Sequence, residues 1–362
     1  MISAVNVVRK WYGGLGSVYR EMIRGGLGMG LLAVLPFLIS IPVFGVSLSH
    51  WISLRMLVLT LLFAFAAQAW NIMSGYTGLF SFGHAIFFGT GAYATQVLVS
   101  TQAINPWIGM LIGAFISLGI GLLIGWLTFR YEVKGHYFAL VTFAFAELAR
   151  NLVNNMPELN GPNGYFRPFP QDYGTDYGLL AFQFQSDVPY YYLVLVFLAV
   201  ITTIAWLIKR SWIGLYMFAI REDEQAAECL GVPTYRYKLF GIGISGFFTA
   251  WAGAFWSMYF TSIRPETVYD LFINVEVLLP AVIGGLGTVA GPILGSFLVT
   301  PVSEVLRQVV GIAGVDVIVY GLLLVLIPIY TPKGIVSWPR KFREAVGGLL
   351  GGTERRGGKD NE

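Results

Sequence analysis

Long apolar runs separated by short polar segments dominate the chain. Runs of about 20 apolar residues match the bilayer core when helical, and lipid forces backbone groups to pair within a segment. The pattern predicts spans at 27–48, 56–72, 77–98, 106–129, 137–153, 189–208, 239–260, 274–299 and 312–329. The stretch 301–310 could add another, so we expect an all-α polytopic membrane protein with roughly 8–10 transmembrane helices.

Glycines recur through two of these runs, where small residues allow either close helix packing or a helix break at a transport site. They are Gly75, Gly78, Gly83, Gly89 and Gly91 in one run, and Gly284, Gly285, Gly287, Gly291 and Gly295 in the other. Close packing is the simpler interpretation, and broken or re-entrant segments are the alternative. Polar residues beside the first run are candidates for lining a translocation pathway: Asn71, Ser74, Tyr76, Thr77, Ser81 and His84.

Composition supports one membrane domain. Apolar and aromatic residues make up 56% of the 362 residues, charged residues 12%, and the mean hydropathy is +0.67. We place this domain at 27–331, between an N-terminal basic segment (1–26) and a tail (332–362). The single cysteine excludes a disulfide within the chain. The net charge of +3 is too small to indicate a nucleic-acid partner.

The placement of lysine and arginine predicts the orientation in the membrane, because cytoplasmic loops retain positive charge. Segments 1–26, 128–136, 208–238 and 332–362 hold 18 of the 23 basic residues, whereas the loop 154–188 holds only Arg167. Alternating spans place the four basic segments on one side, provided that the end of the chain recrosses. We therefore expect cytoplasmic termini, a cytoplasmic loop at 208–238 and a periplasmic loop at 154–188.

The loop 208–238 carries an unusual density of charge. Burying its nine charged residues in lipid would cost on the order of 25 kcal/mol, so it lies outside the bilayer. Glu222 and Asp223 suit a helix N-terminus, and Gly231 followed by Pro233 suits a stop. These signals predict one short helix over 218–231. It is either a solvated connector or a docking helix for a cytosolic partner.

Several ionisable residues fall within apolar runs, where each is costly unless it is paired or hydrated. Glu147 and Arg150 are three residues apart, as are Glu304 and Arg307, so each pair can neutralise itself on one helix face. Glu276 and Asp316 have no such neighbour in the sequence. Glu276 opens the second glycine-rich run and is therefore a further pathway candidate.

Several motifs together resemble one family. They are AIREDEQAAECLGV at 219–232, NIMSGYTGLFSFGHAIFFGTGAYA at 71–94, YFALVTFAFAE at 137–147, GPNG at 161–164, VEVLLPAVIGGLGTVAGPILG at 275–295 and TPKGI at 331–335. Over about 56–336 the chain resembles permeases of ATP-binding cassette (ABC) importers for branched-chain amino acids. The likeness is to the larger, M-type permease.

The resemblance implies a set of partners and a role for the charged loop. The partners are a homologous H-type permease, two cytoplasmic ATPase subunits and a periplasmic solute-binding protein, in a bacterial inner membrane. The residues implied at the ATPase surface are Arg221, Glu222, Glu224, Ala226, Ala227 and Gly231. One departure lies just before them, where 211–215 reads SWIGL in place of the family's Pro-x-Gly-Arg run.

The chain lacks the catalytic motifs of an ATPase. No G-x-x-x-x-G-K-[ST] sequence occurs, so ATP and Mg²⁺ are expected in partner subunits and this chain is not expected to be an enzyme or to hold a cofactor. GTGAYA at 89–94 fits a dinucleotide pattern but has no acidic residue about 20 positions later. The three histidines are too far apart in sequence to indicate a metal site.

Three questions stay open at this point. An autonomous ion-coupled carrier or channel is the alternative function, with the acidic residues in the spans as coupling sites. Urea, short amides and other amino acids are alternative substrates for an importer. The long outer loop is either a lid or a docking surface for the binding protein.

Overall fold

The computed structural model describes residues 16–40, 42–43, 46–47, 53–167, 178–310, 321–322 and 334–337. The helices are α1 Ser17–Ser40, α2 Leu54–Trp70, α3 His84–Gln102, α4 Pro106–Arg130, α5 Gly135–Asn154, α6 Asp187–Arg210, α7 Trp212–Glu222, α8 Glu224–Cys229, α9 Thr234–Phe260, α10 Pro265–Val268, α11 Leu271–Gly284 and α12 Gly291–Val310. The strands are β1 Pro42–Val43, β2 Val46–Ser47, β3 Tyr165–Phe166 and β4 Ser262–Ile263. Short 3₁₀ turns lie at Pro157–Leu159, Gly161–Asn163 and Ile335–Ser337.

Within these ranges, five helical segments are long and apolar enough to cross a membrane: Leu54–Gly75, Pro106–Arg130, Asp187–Arg210, Thr234–Phe260 and Pro265–Gly284. Helices α1, α3, α5 and α12 have 19 to 24 residues each, and at 1.5 Å per residue they are about 30 Å long or slightly more. The predicted fold class, an all-α polytopic membrane protein, is confirmed.

Helix α2 is the centre of the bundle. Every residue from Met56 to Gly75 is buried, because α6, α9, α11 and α12 surround it. Aromatic side chains fill much of this core, and Phe65 packs against Phe197 of α6 and Phe248 of α9 with ring centroids 6.3 and 6.2 Å apart. The central helix is thus shielded from lipid by the protein itself.

Helices α3, α4 and α9 form the most closely packed group. A Cβ on Gly91 would meet the backbone carbonyl of Ala250, and one on Gly253 would meet the carbonyl of Phe88, in both cases closer than real Cβ contacts. The other predicted packing glycines are also tight. Gly83 lies against the backbone of Thr142, Gly89 against the ring of Tyr269, and Gly284 against Gly291. At these glycines a neighbouring backbone or ring lies where a Cβ would stand, and their use for helix packing stays a prediction.

The bundle has two distinguishable ends. At one end, which we call the charged end, Lys134, Glu224 and Lys238 meet in ion pairs. At the other, the strand end, β3 pairs antiparallel with β4, which directly follows α9. Part of the long loop also lies here, where the indole of Trp107 donates to the carbonyl of Leu179 at 2.7 Å. Segments 128–136 and 208–238 therefore share one side, as their basic residues predict.

Three of the predicted spans are wrong in their bounds. The first helix ends at Ser40 rather than 48 and begins at Ser17, ahead of the predicted 27. Residues 78–83 are not helical, so the span 77–98 is a turn followed by α3. The span 274–299 is two helices, α11 and α12, separated by 285–290. The span 312–329, Asp316 and the tail 332–362 lie wholly or mostly outside the described residues.

The third of these corrections, the division of 274–299 into α11 and α12, supplies a reversal of direction that the orientation argument lacked. Helix α11 runs toward the charged end, where residues 285–290 contact α7, and α12 returns from it. The glycine-rich run of 26 residues thus reverses direction where the apolar pattern predicts one straight crossing. Apolarity alone does not reveal the turn, because Gly284, Gly285 and Gly287 interrupt the helix without adding charge.

Candidate functional site

The first intramembrane turn follows the polar end of α2. Residues Asn71–Gly75 form a π-helical segment, and the helix ends at Thr77, whose hydroxyl donates to the carbonyl of Met73 at 2.7 Å. Gly78 then adopts a φ of +77°, a left-handed conformation that glycine tolerates best. The hydroxyl of Tyr76 donates to the carbonyl of Ala205 in α6 at 3.1 Å. A π segment of this kind lets one helical turn present its polar groups to a neighbour.

The second intramembrane turn joins α11 to α12. Gly285 and Gly287 have φ values of +126° and +74°. The hydroxyl of Thr288 donates to the carbonyl of Gly285 at 2.7 Å and accepts from the amide of Gly291 at 3.1 Å, which caps the start of α12. The turn is thus held by its own residues in a compact form.

Asn71 joins the two turns, although 216 residues separate it from Gly287. Its amide nitrogen donates to the carbonyl of Thr288 at 2.9 Å, and its amide oxygen accepts from the backbone nitrogen of Gly287 at 2.8 Å. A Cβ on Gly75 would lie 2.8 Å from that same nitrogen, so the two backbones approach closely. One fully buried side chain therefore satisfies polar groups that the second turn exposes.

Two basic residues of the charged loop bond to both turns. Nη1 of Arg221 donates to the carbonyl of Gly75 at 2.6 Å, and Nζ of Lys209 donates to the carbonyl of Gly287 at 2.9 Å. We call these five residues, Asn71, Gly75, Lys209, Arg221 and Gly287, the junction. A shift of the charged loop must move or break these bonds, so the junction mechanically links that loop to the two turns inside the bundle.

Ser81 and His84 form a separate polar cluster. His84 is fully buried, with Nδ1 3.2 Å from the hydroxyl of Ser81 and Nε2 2.7 Å from that of Ser245 in α9. The indole of Trp70 donates to the carbonyl of Ser81 at 3.0 Å. These contacts hold the first turn against α2 and α9. Of the six polar pathway candidates near the first glycine run, only Asn71 belongs to the junction itself.

The remaining two candidates, Ser74 and Glu276, are both buried. Ser74 lies in the π segment with 5% of its surface exposed. Glu276 lies in α11 with 9% exposed, two residues after Asn274, whose side chain accepts from the backbone nitrogen of Ala85 at 2.7 Å. Their role in a pathway stays a prediction.

The prediction of a single helix over 218–231 in the charged loop is wrong. Two helices, α7 and α8, are separated by Asp223, which is extended and whose carboxylate accepts from the backbone nitrogen of Ala226 at 3.0 Å. The predicted start and stop are right for α8, because Asp223 caps it and Gly231 follows it with a φ of +83°. The segment 211–215 begins α7, and Ser211 is its N-cap.

Of the residues expected at a partner surface, some are held by contacts within this chain and others are exposed. Ala227 is 2% exposed and packs within the chain, and Glu224 accepts from Lys238 at 2.7 Å and lies 3.5 Å from Lys134. The exposed members are Arg221, Glu222, Ala226 and Gly231, although the guanidinium of Arg221 also donates to the carbonyl of Gly75. The same face carries Leu230, which sequence reasoning missed and which is 84% exposed. The sequence signal that could have identified it is an apolar residue directly before Gly231, at the end of a charged helix.

The Glu224–Lys238 pair predicts a stability effect. The ammonium of Lys238 is only 6% exposed and lies 4.9 Å from the centroid of the Phe129 ring, so it depends on Glu224 for neutralisation. Glu224→Gln leaves that charge without a carboxylate and should destabilise the charged end by about 2 kcal/mol. Thermal unfolding in mild detergent measures this, with the exposed Glu222→Gln as control. Equal melting temperatures for both variants would contradict the assignment.

Among the residues that the structure describes, no three His, Cys, Asp or Glu side chains come together in a group that could hold a metal ion. The site is built instead from backbone carbonyls and amides, one asparagine and two basic side chains. Such groups can transmit a displacement and can hydrogen-bond a passing solute. They offer no nucleophile and no acid–base pair at the junction.

The fold and the junction define a multi-pass membrane protein whose surface loop is tied to turns inside its bundle, which is the architecture of a transport component. The family described as the branched-chain amino acid transport system permease component matches residues 52–328, and the chain belongs to that family. Permeases of this family are transport components, not known enzymes.

Individual relatives show similarity along most of the chain. The high-affinity branched-chain amino acid transport system permease protein LivM of Escherichia coli is 27% identical over 339 residues, covering 88% of this chain and 78% of that protein. LivM of Salmonella typhimurium is 26% identical, covering 83% and 74%. The autoinducer 2 import system permease protein LsrC of Yersinia pestis is 30% identical over 112 residues, 29% of this chain and 31% of LsrC. No solved structure matches the chain.

Proposed function

We propose that this chain is the permease subunit of an ABC importer for branched-chain amino acids in a bacterial inner membrane. The observation that carries the proposal is the junction, where Lys209 and Arg221 of a charged surface loop bond to the carbonyls of both intramembrane turns. A partner that moves this loop would reshape the turns. Membership of the branched-chain permease family supports the substrate class.

The partners follow from the same proposal. ATP and Mg²⁺ bind to two cytoplasmic ATPase subunits at the charged end, a periplasmic binding protein delivers the amino acid at the strand end, and a homologous H-type permease completes the membrane unit. The charged end is cytoplasmic, together with both termini. The density of basic residues in 208–238 and the Lys134–Glu224 contact support this orientation.

The outward-facing part of α8 is the proposed ATPase contact. Leu230 is 84% exposed at its tip, and Ala226 on the same short helix lets a partner backbone approach. Apolar side chains at the centre of an interface contribute most of its binding energy. Leu230→Asp should therefore weaken ATPase binding by about 2 kcal/mol or about 30-fold.

The natural cysteine gives a direct test. Cys229 is exposed beside Leu230 and is the only cysteine of the chain. A benzophenone maleimide attached to it in native membranes should, on illumination, capture a protein that carries the G-x-x-x-x-G-K-[ST] motif. Mass spectrometry identifies the product. Leu230→Asp should abolish capture, and Leu180→Asp, a 76% exposed leucine near the strand end, should leave it unchanged.

One outcome would overturn the proposal in favour of an autonomous carrier. The purified chain alone would move leucine under an ion gradient, and the Cys229 probe would capture no ATPase from membranes. Capture that is equal in wild type and Leu230→Asp would instead reject the contact through Leu230 while leaving the importer in place.

A further inference from the structure

Helix α5 crosses the bundle from the charged end to the strand end. It begins directly after Lys134, which contacts Glu224, and it is followed by β3, which pairs with β4 at the end of α9. Its 20 residues give a length of about 30 Å, which is the thickness of the hydrocarbon core. Within the described residues its main contacts are with α3, α4, the short helix α10 and the 3₁₀ turns that follow it, and several of its side chains are exposed.

The uncovered surface of α5 has two chemically different faces. Leu148 and Leu152, which are 63% and 54% exposed, form an apolar face suited to lipid. Glu147, Arg150 and Asn151 lie on another face, since positions three and four apart are neighbours on a helix. The side chains that pack inward, Phe138, Thr142, Ala146 and Val153, occupy a third face. The last two turns of α5 thus present a polar patch beside the apolar face, and Leu140, nearer the charged end, is exposed on the same side as this patch.

The polar face carries an ion pair at membrane depth. Nη2 of Arg150 lies 2.7 Å from Oε2 of Glu147, and the two side chains are 33% and 26% exposed. Glu147 is 12 residues beyond Gly135, roughly 18 Å from the charged end of the helix. Charged side chains at such depth face a water-filled cavity or another protein, because exposure to lipid is costly.

We propose that the polar face of α5 borders the translocation path and that Glu147 and Arg150 bind a zwitterionic α-amino acid. The carboxylate of Glu147 accepts from the ammonium group of the solute, and the guanidinium of Arg150 donates to its carboxylate. The solute opens the internal pair and replaces each partner with an equivalent charge, so neither side chain is left unpaired. The inference rests on the proposed import function and names the residues that recognise the substrate's charged groups.

A charge swap separates recognition from structure. In proteoliposomes that contain the whole importer, Glu147→Gln and Arg150→Gln should each lower ATP-dependent leucine uptake at least tenfold. The double variant Glu147→Arg, Arg150→Glu keeps an ion pair but exchanges its two charges along the helix, and it should remain as low as the single variants. ATP hydrolysis and subunit assembly should stay within twofold of wild type. Glu158→Gln, an exposed carboxylate in the turn that follows α5, is the matched control.

Restoration of uptake by the swap would overturn the proposal and assign the pair a structural role, as would normal uptake in both single variants. If a single variant fails to assemble, leucine uptake by the swapped double variant alone decides between the binding role and the structural role. If the wild-type importer shows no ATP-dependent leucine uptake, the proposed function fails, and the accessibility measurement that follows still tests the polar face.

Thiol labelling tests whether that face meets water. In a Cys229→Ser background, Asn151→Cys on the polar face and Leu148→Cys on the apolar face are exposed to a membrane-impermeant methanethiosulfonate. Asn151→Cys should react at least tenfold faster, and leucine should slow its reaction. Equal rates would place both faces in the same environment, and a fast rate that leucine does not change would place the polar face in water that the substrate does not occupy. Either result overturns the binding role.

Discussion

Arg221→Ala should lower substrate uptake more than tenfold while the partner ATPase continues to hydrolyse ATP. The guanidinium of Arg221 donates to the carbonyl of Gly75 at 2.6 Å, and it lies against Gly287 of the second turn. A hydrogen bond from a charged group contributes about 1.5–3 kcal/mol. Its loss removes that much of the energy linking the charged loop to the turns, and each 1.4 kcal/mol is a factor of ten.

Uptake and ATP hydrolysis should be measured in parallel on the reconstituted importer. Arg236→Ala removes an exposed basic residue of the same loop, at the start of α9, and should leave both activities near wild type. Arg221→Lys keeps the charge without the planar donor and should fall between the two. If uptake and hydrolysis decline together in Arg221→Ala, the residue serves assembly rather than transmission.

Gly91→Val should prevent stable folding of the bundle. A Cβ at this position would overlap the carbonyl oxygen of Ala250, a backbone atom of α9 that cannot rotate away. Because Gly253 places α9 equally close to Phe88, the two helices cannot separate at one contact alone. Overpacking a core costs about 1–3 kcal/mol, and a clash with the backbone at so close a contact should lie at or above that range.

The yield of monodisperse protein and its melting temperature in mild detergent measure this loss. Gly119→Val in α4 is the matched control, because nothing lies within 4 Å of a Cβ built there. Similar melting temperatures for the two variants would mean that α3 and α9 can separate without loss. The contact between them would then not be a main source of stability.

The positions of most helices could be predicted from apolar runs, because lipid and core both favour the same residues. The predicted spans 106–129 and 137–153 differ by at most two residues at either end from α4 and α5. The turns at 78–83 and 285–290 could not be predicted, since glycine and serine interrupt a helix without interrupting its apolarity. Only the long-range hydrogen bond between Asn71 and Gly287 shows where the helices before these two turns end.

For the charged loop, too, some features of the site could be predicted from the sequence and others could not. Clustered charge correctly indicates that the loop lies outside the lipid, and Asp223 and Gly231 mark the ends of α8. Sequence alone groups Arg221 with Glu224 and Ala227 as one surface. In the fold Arg221 reaches inward to Gly75, Glu224 is held by Lys238, and Ala227 is buried. Which side of a short helix faces the bundle depends on long-range contacts that no local pattern records.

The 216 residues between Asn71 and Gly287 also determine how long the nascent chain waits before this contact can form. At about 5–20 residues per second, the ribosome reaches Gly287 roughly 10–40 s after Asn71 has been made. During that interval α2 is already an apolar helix, yet its amide side chain has no turn to bond and most of its enclosing helices do not exist. The nascent helix must therefore wait beside the insertion machinery or lipid headgroups, and the final bundle closes only when the last third of the chain arrives.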